Sequence, residues 1–361
     1  MEMKGCMIES AISGKVLVIG EYYRGNAPGG IAAVLRYCEP YYETLKFIPS
    51  FRRRSRLNKA WYGITAYIRL WLKLLSDRNI EVVHIHTASG GSFFKHSHFV
   101  RAAKLLGRKV ILHSHSGNFR EFYSASGRRE KILGTLNTAD ILTVLSPSWA
   151  AFYESIGVEA AKIRVLNNIV PYPQLSEIPA TDDRMHLIFL GVISENKGIF
   201  ELCDMLAGHQ DELRSRLELR ICGHGEDERL SSFIRESGIG DFVTFEGFIS
   251  GDRKIAALNW ADTAILPSWW EGMPISLLEA MSYGCALIAT PVGGIPEIVV
   301  PGGNGMLVPV HDIEGLYRAV LALLDSNLRA EMGRRSAELI RPHYPDAVIA
   351  GLRAIYSELT D

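Results

Sequence analysis

Residues 263–292 read TAILPSWWEGMPISLLEAMSYGCALIATPV, and the run parses as strand, loop, helix, strand. TAILPS (263–268) and ALIATPV (286–292) are short, uncharged and apolar, the pattern of strands buried on both faces of a parallel sheet. Between them, Pro274 has the fixed φ and missing N–H that suit a first helical position. Gly284, after Tyr283, is a natural left-handed stop. The helix is apolar at Ile275, Leu277, Leu278, Ala280 and Met281, yet Glu271 precedes it and Glu279 lies inside it. Backbone N–H groups near Gly272, Met273, Ile275 and Ser276 point out of the helix start, where the macrodipole favours an anion. A carboxylate accepts paired hydrogen bonds from vicinal hydroxyls. Two acids flanking an anion site therefore match a sugar nucleotide, with Glu279 on the ribose, Glu271 on the second sugar and the amides on the diphosphate. A loop acid favouring the helix dipole and an ordinary exposed helix glutamate have the same spacing, and spacing alone leaves both readings open.

The same alternation of short strands and helices runs from end to end. The first half predicts strands at 15–20, 43–49, 81–87, 109–115, 140–146 and 163–168, and the second at 186–192, 217–223, 242–248, 263–268, 286–292 and 305–309. The fold class is α/β, with two doubly wound Rossmann-like domains. VPYPQLSEIPATDDR (170–184) has the polar, proline-bearing composition of a linker. The expected boundaries are 1–172, 173–345 and a last helix, 346–361, that crosses back to the first domain. Ligands of open parallel sheets sit beyond the carboxyl ends of the strands, and a central cleft between two such domains is the expected place for one.

Composition agrees with a packed protein of two domains: 361 residues, 47% apolar and 22% charged. There is no spanning segment or secretory core at the amino terminus, so a cytoplasmic location is expected. The five cysteines form no CxxC pair and read as reduced thiols. Charge is split: residues 1–175 hold 24 Lys and Arg against 12 Asp and Glu, whereas the rest holds 15 against 28. The first half is thereby drawn to anionic surfaces.

Four histidines cluster at predicted strand ends, His84 and His86 in VVHIHT and His113 and His115 in ILHSHSGN. Alternation places His113 and His115 on one face of their strand. Gly29 and Gly30 in NAPGGIAAV permit close backbone approach at a helix start, suited to a phosphate or acceptor atoms. A plain tight turn or hydrogen-bonded core histidines would look the same.

PSWWEGMPISLLEAMSYGCALIATPVGGIPEIV resembles the carboxyl-terminal signature of retaining GT-B glycosyltransferases of glycosyltransferase family 4, whose hallmark is two glutamates separated by seven residues. The likeness extends through Gly29-Gly30, the strand-ending histidine, GVISENKG (191–198), ICGHGEDERL (221–230) and NGMLVP (304–309). It implies a GT-B fold, a nucleoside diphosphate sugar as donor, UDP being the commonest carrier, and a saccharide or lipid-linked saccharide as acceptor. It assigns His115, with His113 as the runner-up, Glu271 and Lys197 as catalytic, and places Gly223 with the donor. The family's basic pair, in a segment like GRLxxxKG, departs here: Lys197 stands, but the arginine position is Val192.

FRRRSRLNKAWYGITAYIRLWLKLL (51–75) joins Arg52, Arg53, Arg54, Arg56 and Lys59 to a helix with Trp61, Tyr62, Tyr67 and Trp71. Basic charge beside aromatic and aliphatic side chains suits an anionic membrane surface, here the inner leaflet, and a solvated basic loop before a crossover helix is the alternative. No Asp-x-Asp is present, so no metal or other cofactor is expected, and nucleic acid is not an expected partner. A nucleotide-sugar epimerase of the same architecture and a non-catalytic two-lobed sugar-binding protein are the competing classes.

Overall fold

The computed structural model describes residues 6–25, 29–52, 56–176 and 184–360; the side chains of residues 56–60 lie outside that description. The chain divides into two compact units. One is Met1–Val170 with Pro342–Asp361, the other Pro171–Arg341.

The first unit is built on a parallel sheet of β1 (Val16–Glu21), β2 (Lys46–Phe51), β3 (Val82–Thr87), β4 (Lys109–Ser114), β5 (Ile141–Val144) and β6 (Ile163–Val165). Its order is β2-β1-β3-β4-β5-β6. β2 begins three residues later than the sequence predicts and runs through Pro49. A residue without an N–H is tolerated there because β2 is the edge strand. On one face Leu17, Ile19, Val83, Ile85, Val110 and Leu112 pack against Leu70, Phe93, Phe99 and Phe119. The last helix, Pro345–Thr360, belongs to this unit and packs on β3.

The second unit repeats the plan with β7 (Met185–Leu190), β8 (Leu217–Cys222), β9 (Val243–Gly247), β10 (Thr263–Leu266), β11 (Ala286–Ala289) and β12 (Gly305–Leu307). All are parallel, in the order β12-β11-β10-β7-β8-β9. The helix after β10 is Ile275–Ser282, one residue shorter at its start than Pro274 suggests. Pro274 has ψ 116, which is extended, so it caps the helix from outside, and its carbonyl accepts from Leu278 N–H at 3.3 Å. Gly284 follows with φ +77, as expected of a helix stop. Cys38, Cys203, Cys222 and Cys285 are buried free thiols, and Cys6 is half-buried.

Candidate functional site

In the second unit the loop after β10 holds Glu271 with its side chain buried. Its Oε1 accepts from Ser268 Oγ at 2.8 Å and from Lys197 Nζ. Lys197 reaches it because the turn Glu195–Lys197 ends at Gly198, φ +67, where an added Cβ would lie 2.1 Å from the Pro267 carbonyl oxygen. Only glycine lets that turn close on the β10 loop, and Trp269 N–H donates to Asn196 O at 2.9 Å across the same seam.

Glu279 is 7% exposed, which removes the reading of an ordinary surface glutamate. Its Oε1 accepts from Lys254 Nζ at 2.6 Å. Each glutamate of the pair is thus matched by one lysine, on opposite sides of the start of helix Ile275–Ser282. The amides of Ile275, Ser276 and Leu277 precede the first intrahelical bond, so helix geometry gives them no partner of their own.

Glycines shape the floor. Gly293 has φ +57, and a Cβ there would stand 1.7 Å from Glu271 O; at Gly294 it would stand 2.7 Å from Gly272 O, which accepts from Gly294 N–H at the same 2.7 Å. Gly223, placed with the donor from the sequence, lies against backbone as well: its Cβ would meet Gly191 O at 1.8 Å. Met273 is buried in this floor at 5% exposure. Sequence reasoning missed Lys254, Ser268 and the Gly293-Gly294 pair. The doubled glycine in PVGGIPE was a visible signal; nothing in the text around Lys254 links it to Glu279.

In the first unit His115 lies just beyond β4, half-buried, with Nε2 2.8 Å from His86 Nδ1. Desolvation holds the His115 and His86 imidazoles well below the usual histidine range, with neighbouring imidazoles adding to the shift at His86. Gly29, φ 128, precedes helix Gly30–Cys38; residues 26–28 beside it lie outside the described residues.

Helix Arg56–Ser76 buries Ala66, Leu70 and Leu74 against the sheet, and its other side carries Trp61, Ile64, Ile68, Leu72 and Leu75, all exposed. Their spacing of three and four residues sets them on one stripe. A cavity of about 510 Å³ beside it is lined by Phe47, Ile48, Leu72, Lys46, Arg69 and Lys73, among others. Of the basic residues singled out in the sequence, Arg53 and Arg54 lie outside the described residues, as do the side chains of Arg56 and Lys59. Arg52 is half-buried: it covers the Tyr22 ring at 4.6 Å and donates to Tyr62 Oη at 3.5 Å. Its side chain is therefore held against the unit itself, with its charge kept. No helix among the described residues is long and apolar enough to cross a membrane.

Residues 174–339 match the family described as Glycosyl transferases group 1, and residues 31–172 match Glycosyltransferase Family 4. The two matches adjoin and cover most of the chain. The chain belongs to glycosyltransferase family 4. A putative colanic acid biosynthesis glycosyltransferase, WcaL, of Escherichia coli K12 is 30% identical over 224 residues, 58% of this chain and 54% of that protein. The phosphatidyl-myo-inositol mannosyltransferase of Mycobacterium leprae is 26% identical over 307 residues, 81% and 77% of the two chains. The chain spans about half the length of the WcaL relatives it matches. Among solved structures, a sucrose-phosphate synthase from Thermosynechococcus elongatus superposes with TM-score 0.76 at 17% identity, covering 96% of this chain and 99% of that one. Anabaena HepE in complex with UDP gives 0.72 at 14% identity, covering 96% and 100%. Identities so low speak for the fold alone, and that fold is GT-B.

Proposed function

We propose that this family 4 member transfers a sugar from a nucleoside diphosphate sugar, with UDP as the carrier, to a saccharide or lipid-linked saccharide acceptor in cell-surface polysaccharide assembly, and that it keeps the anomeric configuration. The observation that carries this reading is the matched pair of Glu271–Lys197 and Glu279–Lys254 around the amide-bearing start of helix Ile275–Ser282. A diphosphate seated on Ile275 and Ser276 N–H groups is drawn by the helix dipole and by two ammonium groups that now rest on carboxylates. Glu279 and Glu271 then accept from the hydroxyls of ribose and transferred sugar, one on each side.

In the step itself, the bond from the anomeric carbon to the diphosphate oxygen breaks with its electron pair leaving on the phosphate. The acceptor hydroxyl oxygen bonds to that carbon from the same face, and its proton passes to the departing phosphate oxygen. Lys197 stabilises the charge that develops there, the kind of contribution that dominates such sites. In this reading both glutamates are taken up by the ribose and sugar hydroxyls, which leaves neither as a glycosidase-type nucleophile and favours the front-face route. The residues in hand supply these roles without a metal. His115 contributes a neutral imidazole that hydrogen-bonds a substrate hydroxyl.

The exposed stripe Trp61, Ile64, Ile68, Leu72 and Leu75, in the basic half of the chain, supports docking on an anionic membrane surface, where a lipid-linked acceptor resides. The test of the donor reading is turnover with a panel of UDP-, GDP- and ADP-sugars in the presence of EDTA, with product anomers resolved by NMR. Transfer from a UDP-sugar with retention is expected. Donor epimerisation without transfer, or dependence on a divalent ion, would remove it.

A further inference from the structure

The histidines flagged in the sequence assemble into a two-layer ladder on one face of the first unit's sheet. His86 pairs in register with His113 across β3 and β4, so period-two alternation sends His84, His86, His113 and His115 to the same side. In one layer, Tyr42 Oη lies 2.7 Å from Tyr356 Oη, Tyr356 Oη 2.7 Å from His84 Nδ1, and His84 Nε2 3.2 Å from His113 Nδ1. The His84 and His113 planes are 9° apart. The line ends at His113 Nε2, buried with no hydrogen-bond partner. The second layer is His86 Nδ1 against His115 Nε2 at 2.8 Å, planes 18° apart. The layers stack, His86 on His84 with ring centres 4.4 Å apart and His115 on His113 at 4.1 Å.

His84, His86 and His113 bring ring nitrogens within 4.8 Å of one another, close enough to raise the question of a metal ion. Within each layer, however, nearly coplanar rings aim their nitrogens at each other, leaving room for one shared proton. Zinc ligands aim their lone pairs at a common third point. The ladder is a hydrogen-bonding device.

Burial keeps all four rings neutral, so each has one N–H and one bare nitrogen. One proton therefore lies between His86 and His115. If His86 donates it, the proton of His115 sits on Nδ1 and that nitrogen is a donor; if His115 donates it, Nδ1 is an acceptor. Of the four rings only His115 is partly exposed, and its Nδ1 has no hydrogen-bond partner among the described residues. The chemistry that His115 offers a substrate is thus set one ring deeper.

We propose that His86 is a positioning residue: its hydrogen bond to His115 Nε2, with the stack on His113 beneath, fixes the tautomer and ring plane in which His115 presents Nδ1 to a substrate hydroxyl. This rests on the reading of His115 as a substrate contact. His86→Asn keeps a polar group at the Nδ1 position, and His86→Leu removes it. Tag-free, 15N-histidine-labelled protein is compared by NMR for the His115 tautomer, and by kinetics for kcat and KM, with Tm as the check on folding. Wild type and His86→Asn should show a single His115 tautomer and similar kcat. His86→Leu should show mixed tautomers and a kcat lower by about tenfold or more, with KM nearly unchanged. An unchanged tautomer and kcat in His86→Leu would overturn the proposal, as would one equivalent of bound zinc in the wild type. Inactive His115→Ala beside fully active His86→Leu overturns this inference alone. Fully active His115→Ala overturns the parent reading and this one with it.

Discussion

Lys197 and Ser268 converge on the same oxygen, Oε1, of Glu271. One carboxylate oxygen is thereby saturated by the protein itself, and the side chain is clamped before any ligand arrives. Glu271→Gln keeps the shape and can still accept from Ser268, but it surrenders the charge that holds Lys197. We expect kcat to fall by about 10²–10³, the range for losing one electrostatic contact to a transition state, with a lower Tm as well because the mostly buried Lys197 is left without its anion. Near wild-type turnover by Glu271→Gln in steady-state assays would remove the assigned role. Lys197→Met leaves a mostly buried carboxylate without its cation and should likewise cost stability, on the order of 3–5 kcal/mol, read as a lower midpoint in urea.

Lys254 tests the other end of the site. On the proposal that Glu279 faces the ribose, Glu279→Gln and Lys254→Met should each weaken nucleoside diphosphate binding about tenfold, or about 1.4 kcal/mol, while kcat at saturating donor changes little. Isothermal titration with UDP measures this directly. Equal affinities for wild type and Glu279→Gln would move the ribose elsewhere.

How far the sequence carried can be judged at this site. All twelve strands were legible because each is a short, mostly apolar run, and length, β-branched residues and the Gly, Pro or polar cluster that closes it separate such a run from a buried helix, which period alone does not. Misplacement was confined to strand ends, at interior β11, read as 286–292 and found as Ala286–Ala289, as well as at edge β2. Glu271 and Glu279 were legible as a pair because they flank one continuous helix start. Lys254 was not: it is 25 residues from Glu279, and only the return of the chain through β10 brings them to 2.6 Å. The histidines were visible as two HxH runs, but their pairing depends on the β3–β4 register, which no local pattern encodes. The exposed stripe on helix Arg56–Ser76 was half legible, since apolar residues on both sides of a helix do not announce which side the sheet takes.

Gly293 is the position where a single methyl group should do most damage. Its φ of +57 disfavours any L side chain, and the added carbon would overlap the carbonyl of Glu271 itself. Gly293→Ala is expected to cost on the order of 1–3 kcal/mol in backbone strain and to displace Glu271, lowering kcat more than Glu279→Gln does. Gly302, at φ +73 with open space around it, is the control: Gly302→Ala carries backbone strain alone and should leave turnover intact. Equal kinetics for both variants would show that the Gly293 contact has no bearing on the site.

The apolar stripe makes a membrane prediction that separates surface chemistry from charge. Ile68→Ser with Leu72→Ser should reduce cosedimentation with vesicles containing anionic lipid by about a hundredfold or more, since each fully buried aliphatic side chain contributes roughly 1.5–3 kcal/mol and about 1.4 kcal/mol is tenfold. Raising salt should weaken binding of both proteins, as expected for the basic half of the chain. Because Arg52 is committed to Tyr22 and Tyr62, Arg52→Ser should matter less than the paired serine variant. Unchanged sedimentation of the double variant would leave the stripe without a lipid role.

Acid should open the first unit before the second. Burial lowers His84 and His115 to about 3 and holds His86, His96 and His113 well below the usual value, whereas in the unfolded chain each titrates near 6.5. Below pH 6.5 the unfolded state therefore binds more protons than the folded one, and stability falls as pH falls. The stabilisation is fully present above about pH 6.5 and is lost progressively down toward pH 3, where the buried rings themselves protonate. By pH 5 each such imidazole costs on the order of 1–2 kcal/mol. The ring environment is completed by Lys95, Tyr42 and Tyr356: Lys95 sits near His96 and lowers its pKa further, and the tyrosines remain neutral throughout this range. Calorimetry from pH 7.5 to pH 5 should resolve a transition for the first unit that moves down steeply, while the second, whose histidines are not grouped in this way, moves little. Replacing His96, which bridges Ser50 Oγ at 2.8 Å and Thr87 Oγ1 at 3.0 Å, by Gln should make that descent shallower at the expense of Tm at neutral pH. A first-unit Tm that is flat across this range would mean that the imidazoles are not kept neutral, and the ladder would have to be redrawn with charged rings.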